Sequence, residues 1–227
     1  MNSSVITFPG SNCDRDVDVA LKKFGFKNKM VWHDDIELPK SDLIVLPGGF
    51  SYGDYLRCGS MASKSKIMKS VINFAKDGGK VIGICNGFQI LVESGLLPGV
   101  LLRNKYLEFI CKNIFVKVND KNSSYFKNIK KDTLELHIAH NEGNYFCSQE
   151  QIKKIDDNNQ VALFYSDKDG NITDTNNPNG SINNIAGIFN KEKNILGMMP
   201  HPERMIDPSL SGDDGSIFFE NLINNLR

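Results

Sequence analysis

The chain is 227 residues long, enough to bury one substantial α/β core, or two small ones, without disulfide staples. Lys plus Arg and Asp plus Glu both number 27, so the formal charge is zero, and no run of like charge marks a nucleic-acid or membrane surface. The five cysteines, Cys13, Cys58, Cys85, Cys111 and Cys147, are odd in number and hold no C-x-x-C pair, which argues against a disulfide framework and a structural zinc site.

The opening MNSSVITFPG has neither the charged start nor the long apolar run of a signal peptide. No apolar stretch approaches the roughly 20 residues of a membrane helix. A soluble chain retained in the cytoplasm is therefore expected. SVITF (4–8) reads as a strand, and Val17, Ala20, Leu21 and Phe24 recur at i, i+3, i+4 and i+7, one apolar face of a helix. KMVW (29–32) and DLIVL (42–46) read as strands, a helix runs through Ile67, Met68, Val71, Ile72 and Ala75, and KVIGI (80–84) is the next strand. Strands alternating with helices predict an open, mostly parallel, flavodoxin-like α/β sheet with helices on both faces.

The second half has another texture. NIFVKV (113–118), LELHI (134–138), VALFY (161–165), IAGIF (185–189) and ILGMM (195–199) read as strands joined by polar, Asn-rich turns such as TDTNNPNGSINN. These are expected to be antiparallel additions to the same sheet or a small flanking one, with the Asn-rich turns ordered. GSIFFENLINNLR repeats Phe218, Leu222 and Leu226 at helical spacing and predicts a terminal helix. No repeat or linker interrupts the chain, so one domain over 1–227 is the expectation.

Three stretches carry chemistry, each just beyond a predicted strand, where open α/β sheets bind ligands. In GKVIGICNGFQIL (79–91), Cys85 sits on a strand-to-helix turn with Gly83 and Gly87 two residues to either side, the spacing of a nucleophile elbow. The positive end of the following helix favours a thiolate there. The alternative is a buried, inert cysteine. Gln89, one helical turn on, is either a helix-surface residue or a polar hand for a substrate. MMPHPER (198–204) places His201 and Glu203 in a turn stiffened by Pro200 and Pro202, so that a carboxylate can fix the imidazole tautomer; a surface pair without special contact is the alternative. LPGGFSYGDYLRCG (46–59) has consecutive Gly48 and Gly49, whose backbone can turn its amides toward an oxyanion. His137 and His140, three apart in a strand, point to opposite faces, so no metal site is expected of them.

Together GICNGFQ, HPER and PGGFSYGD resemble the triad glutamine amidotransferases. FPGSNCD (8–14), SYGDYLRCG (51–59), GLLPG (95–99), RNKYLEFIC (103–111), NIAGIFN (184–190) and GMMPHPER narrow the resemblance to the glutaminase subunits of phosphoribosylformylglycinamidine synthase, over essentially the whole chain. The resemblance implies that Cys85 attacks the side-chain amide of glutamine to give a glutamyl thioester and ammonia, that His201 moves the protons and that Glu203 orients it. It implies an oxyanion site around Gly48, Gly49, Phe50 and Asn86, with Gln89 beside the substrate. It also implies that ammonia passes to a large synthetase subunit, in company with a small accessory subunit, where ATP and magnesium drive conversion of formylglycinamide ribonucleotide to formylglycinamidine ribonucleotide in purine biosynthesis. No cofactor is expected in this chain, which has no G-x-x-x-x-G-K-[ST] stretch. Tyr52, Asp54 and Arg57 are taken as the partner-facing loop, with an ordinary solvated loop as the alternative. One departure stands out: the family's AHGEG is AHNEG here, and Asn141 is expected to keep the turn by tolerating left-handed backbone. Two rivals remain, a non-catalytic docking subunit and a cysteine peptidase or deglycase-like enzyme on a similar sheet.

Overall fold

The computed structural model describes residues 1–210 and 212–226. Its regular elements are β1 Asn2–Thr7, α1 Asp14–Lys23, β2 Lys27–Trp32, β3 Leu43–Leu46, α2 Ile67–Lys76, β4 Lys80–Ile84, α3 Asn86–Glu93, β5 Val100–Leu102, β6 Ile110–Val118, β7 Thr133–His140, β8 Asn144–Phe146, α4 Gln149–Asp157, β9 Val161–Ser166, β10 Ile185–Phe189, β11 Ile195–Met198 and α5 Asp214–Asn225. Every strand and helix expected from the sequence is present. The short β5–β8 pair and α4 are additional.

A nine-stranded sheet runs in the order β2-β1-β3-β4-β11-β10-β9-β6-β7. β2, β1, β3, β4 and β11 are mutually parallel, whereas β10, β9, β6 and β7 follow in antiparallel pairing. The ILGMM run, expected as one of the antiparallel additions, is instead the hinge between the two halves: β11 lies parallel to β4 with Met198 opposite Ile84, and antiparallel to β10. Burial explains its place. β3, β10 and β11 are buried at every residue and β4 at all but its first, as strands covered on both faces must be. The edge strand β2 is mostly exposed and carries Lys27 and Lys29, a sheet edge guarded by charge.

Local chemistry accounts for the helices. α1 has Asp14 and Asp16 in its first turn and Lys22 and Lys23 in its last, matching the helix dipole, and buries Val17, Ala20 and Leu21. α4 begins in a capping box, with the Ser148 hydroxyl accepting from Gln151 N and the Gln151 side chain accepting from Ser148 N, and buries Ile152 and Ile155. The Asn-rich turns are ordered by their own side chains: Asn177 Oδ1 accepts from the amides of Asn179 and Gly180, and Asn183 and Asn184 take left-handed φ of 49° and 57°. Among the described residues no helix is long and apolar enough to cross a membrane.

The antiparallel half returns to the parallel one. β7 is the far edge of the sheet, yet His137 O accepts from His201 N at 2.8 Å, so this edge strand closes over the carboxyl ends of β4 and β11. α3 packs against β3 so closely that a Cβ on Gly87 would sit 1.9 Å from Leu46 O. Gly87→Ala is therefore expected to destabilise the fold by about 3 kcal/mol, read from urea unfolding; an unchanged midpoint would contradict this packing.

Candidate active site

Cys85 follows β4 directly and has φ 50° and ψ −106°, a conformation L side chains rarely adopt. Its amide is pinned to Met198 O at 2.7 Å, and the residue before α3 has no room to relax, because a Cβ at Gly83 would meet Gly87 C at 2.6 Å. The strained turn thrusts the sulfur outward at the start of α3, where it lines a cavity and approaches Ala139 O at 3.8 Å. This is an elbow rather than a residue in helical register.

The parallel pairing of β4 with β11 carries the chain from Met198 to His201 at the same end of the sheet. His201 Nδ1 and Glu203 Oε1 are 2.6 Å apart, with both side chains essentially sealed from solvent. His201 Nε2 is buried and takes no hydrogen bond of normal geometry, while the Cys85 sulfur is close enough to act on the ring's charge. Burial works against the imidazolium, but the Glu203 carboxylate and then Cys85 outweigh it, holding the proton affinity of His201 well above the ordinary imidazole range.

The Gly48–Gly49 loop lies against this pair. A Cβ on Gly48 would meet His201 Cε1 at 2.6 Å, so glycine is required for the ring to sit there. Gly49 has φ 139°. Phe50 departs from expectation: its amide donates to Gly10 O at 2.9 Å, so it is not an oxyanion donor. Among the described residues no hydrogen bond takes up the amides of Gly48, Gly49 and Asn86, and of the two glycines only Gly49 lines the cavity, which favours Gly49 and Asn86 for that role. The Asn86 side chain fixes the arrangement, accepting from Ser51 N and donating to Gln89 Oε1 and Asp54 Oδ1.

In front of Cys85 is a cavity of about 260 Å³ lined among others by Gln89, Asp54, Arg103, His140 and Glu142. Gln89 is spoken for, donating to Glu142 O at 2.6 Å, so it shapes the wall through the 139–143 segment. A second thiol, Cys58, also lines the space, but burial and then the Asp54 carboxylate push its ionisation far up, leaving it protonated. His140 is held neutral, pushed down to about 3 by burial and by the neighbouring charge of His201, with Nδ1 on Asn104 Oδ1 and Nε2 unpartnered. A larger cleft of about 830 Å³, bounded by Gly78, Leu97, Gln160 and Ile195, lies at the opposite, amino-terminal ends of β4 and β11.

The model of the CobB/CobQ-like glutamine amidotransferase domain family matches residues 1–211. The chain is 82% identical, over the full length of both, to phosphoribosylformylglycinamidine synthase subunit PurQ of Pelagibacter ubique (strain HTCC1062). This chain belongs to the PurQ family of glutamine amidotransferases. It is also 50% identical to the same-named subunit of Chlorobaculum parvum, over all of this chain and 90% of that one. Among solved structures, PurLQS from Thermotoga maritima is similar with a TM-score of 0.86 and 38% identity, covering 100% of this chain and 99% of that one.

At Asn141, where the sequence departs from the PurQ family pattern, the backbone differs from the expected one. Asn141 is not among the described residues of positive φ, so no left-handed turn has to be kept, and its carbonyl accepts from Asn104 N. His137 and His140 do lie on opposite faces of β7, the first bonded to Asn113 and Cys111, the second to Asn104. Of the partner-facing loop, Tyr52 turns inward to His33 Nδ1 at 2.8 Å and Asp54 lines the cavity, whereas Arg57 is exposed and paired with Glu93. Exposed beside it are Tyr55 and Leu56. Sequence reasoning missed Arg103 and Asn104 as parts of the site; they sit in RNKYLEFIC, whose spacing alone assigns no chemistry. It also gave no role to Cys13, which lies with His201 and Glu203 in the one group among the described residues whose potential metal-ligand atoms fall within 4.8 Å of one another. Two of the three are tied to each other and the third carries a guanidinium, Arg204 Nη2 at 2.9 Å, a setting that opposes a cation.

The raised proton affinity of His201 has a stability consequence. The contribution is complete below the ordinary value near 6.5 and is lost as pH climbs through the raised folded-state value. Glu203→Gln removes the opposing charge, so its destabilisation is expected to be larger at about pH 6 than at about pH 9. Equal penalties in urea unfolding at the two pH values would contradict the charged couple.

Proposed function

We propose that the chain is the glutaminase subunit of phosphoribosylformylglycinamidine synthase, acting as one glutamine amidotransferase domain in the cytoplasm. The observation that carries the reading is the meeting, at one buried point, of the strained Cys85 elbow and the His201–Glu203 couple in front of a cavity of amino-acid size. Cys85 Sγ attacks the side-chain amide carbon of glutamine, and the amides of Gly49 and Asn86 hold the oxygen of the tetrahedral intermediate. His201 Nε2 gives a proton to the leaving nitrogen, so ammonia departs and a glutamyl thioester remains. Water then attacks the thioester while His201 takes its proton, releasing glutamate and restoring the thiol. Glu203 keeps the imidazole oriented and charged through Nδ1. Asp54, Glu142 and Arg103 line the cavity, with Arg103 Nε 3.8 Å from Glu142 Oε1, and provide opposite charges for the α-ammonium and α-carboxylate of the substrate.

The reading leaves ATP and magnesium to the large synthetase subunit, which with a small accessory subunit completes the enzyme; the similarity to PurLQS of Thermotoga maritima supports that assembly. Arg57, Tyr55 and Leu56 are the exposed non-glycine residues of the 51–57 loop at the cavity and are assigned to docking. A peptidase or deglycase-like site of the kind weighed above would carry a histidine directly after the thiol; here Asn86 holds that position and its side chain is consumed in the loop network. A silent docking subunit is separated by ammonia release.

Cys85→Ala is expected to abolish glutamine-dependent product formation by the assembled enzyme while product formation from added ammonium salt continues; unchanged glutamine use would sink the assignment. His201→Ala is expected to lower glutamine turnover by about a thousandfold, and Glu203→Gln by less. The reverse order would show the two roles to be exchanged.

A further inference from the structure

FPGSNCD is the stretch whose chemistry the proposed reaction does not use. Its last turn places Cys13 directly before α1, buried to 1% exposure and not in the wall of the substrate cavity. The Cys13 amide donates to Gly48 O at 3.3 Å, and a Cβ on Gly48 would lie 3.3 Å from the Cys13 sulfur and 2.6 Å from His201 Cε1. Sulfur, glycine backbone and imidazole thus form one packed stack. The same sulfur accepts from Arg204 Nη2 at 2.9 Å, and Arg204 Nε lies 4.0 Å from Asp16 Oδ2.

Arg204 follows Glu203 in the same short turn, and Glu203 Oε2 is buried without a hydrogen-bond partner. A guanidinium next to a bare carboxylate oxygen is a competitor for the charge that His201 needs. Resting on the glutaminase reading, we propose that Cys13 is a positioning residue for His201: its sulfur holds the Arg204 guanidinium away from Glu203, so that the carboxylate stays committed to the imidazole. The groups facing His201 are Cys13 and Asp16 from the α1 end, Cys85 at the elbow, His137 and His140 from β7, and Glu203 and Arg204 from its own turn. The Cys13 sulfur also lies within 4.8 Å of a His201 ring nitrogen, close enough to favour the charged form of the ring. Loss of the sulfur therefore removes one stabilising contact and the 2.9 Å tie that draws the Arg204 guanidinium off the carboxylate, and both effects weaken the imidazolium.

The test is the pH profile of glutamine hydrolysis by the chain assembled with its synthetase partner. Cys13→Ala is expected to move the alkaline limb of kcat/KM to lower pH by about half a unit or more, with kcat falling and KM for glutamine unchanged. Cys13→Ser, which keeps an acceptor for the guanidinium, recovers most of the shift. Adding Arg204→Gln to Cys13→Ala removes the competing cation and moves the limb back up. Superimposable profiles for wild type and Cys13→Ala, equal behaviour of the Ala and Ser variants, or no return on adding Arg204→Gln would each overturn the proposal. NMR titration of the His201 imidazole reads the same order without turnover. An inactive wild type with the expected titration order would thus fail the glutaminase reading and leave the Cys13 contact standing.

Discussion

The site depends on one strand pairing. β11 returns from the antiparallel half and inserts beside β4 in parallel, with Met198 opposite Ile84 and the Cys85 amide bonded to Met198 O. Because the two strands run the same way, the turns that follow them open at the same end, and Cys85 and His201 meet although 116 residues separate them in sequence. A one-residue slip would reverse every side chain of a strand buried on both faces, so the register is tightly specified by the core. The small residues are the steric counterpart: Gly83, Gly87 and Gly48 stand where a methyl group would strike backbone or the catalytic ring.

Burial then makes the charges effective. His201 and Glu203 are removed from solvent, where an ion pair is worth much more than on the surface and leaving one member unpaired is costly. Other titratable groups around the cavity are kept out of the chemistry by the same low polarity: Cys58 as a thiol beside two carboxylates, His140 as a neutral ring on Asn104. The result is a cavity with one nucleophile at a strained elbow and one charged imidazole, while Arg103 and Glu142 line the same space as a pair of opposite charges.

Much of this was legible in the sequence because the signals were local and strong. Apolar runs of β-branched residues bounded by Gly and Asn marked the strands, and glycine spacing around Cys85 and proline around His201 marked rigid turns. What was not legible depended on pairing or on weak periodicity. The parallel placement of β11 is set by distant strands and has no trace in ILGMM itself. α4 buries only Ile152 and Ile155, too few to stand out, although its Ser148 and Gln151 capping box was a usable signal. The Phe50 amide was expected in the oxyanion site from the family resemblance; here the 8–14 turn consumes it through Gly10. Likewise Tyr52 and Asp54 were taken as parts of a partner-facing loop, and both are turned inward by partners far away in the chain, His33 and Asn86.

The measurement that bears most directly on the central claim is mass mapping of all five cysteines after brief exposure to an electrophilic glutamine analogue, with and without excess glutamine. The account predicts labelling of Cys85 that glutamine suppresses, no labelling of buried Cys13, Cys58 and Cys147, and any reaction at exposed Cys111 indifferent to glutamine. Cys85 left untouched in the assembled enzyme, or labelled at the same rate whether or not glutamine is present, would contradict the account.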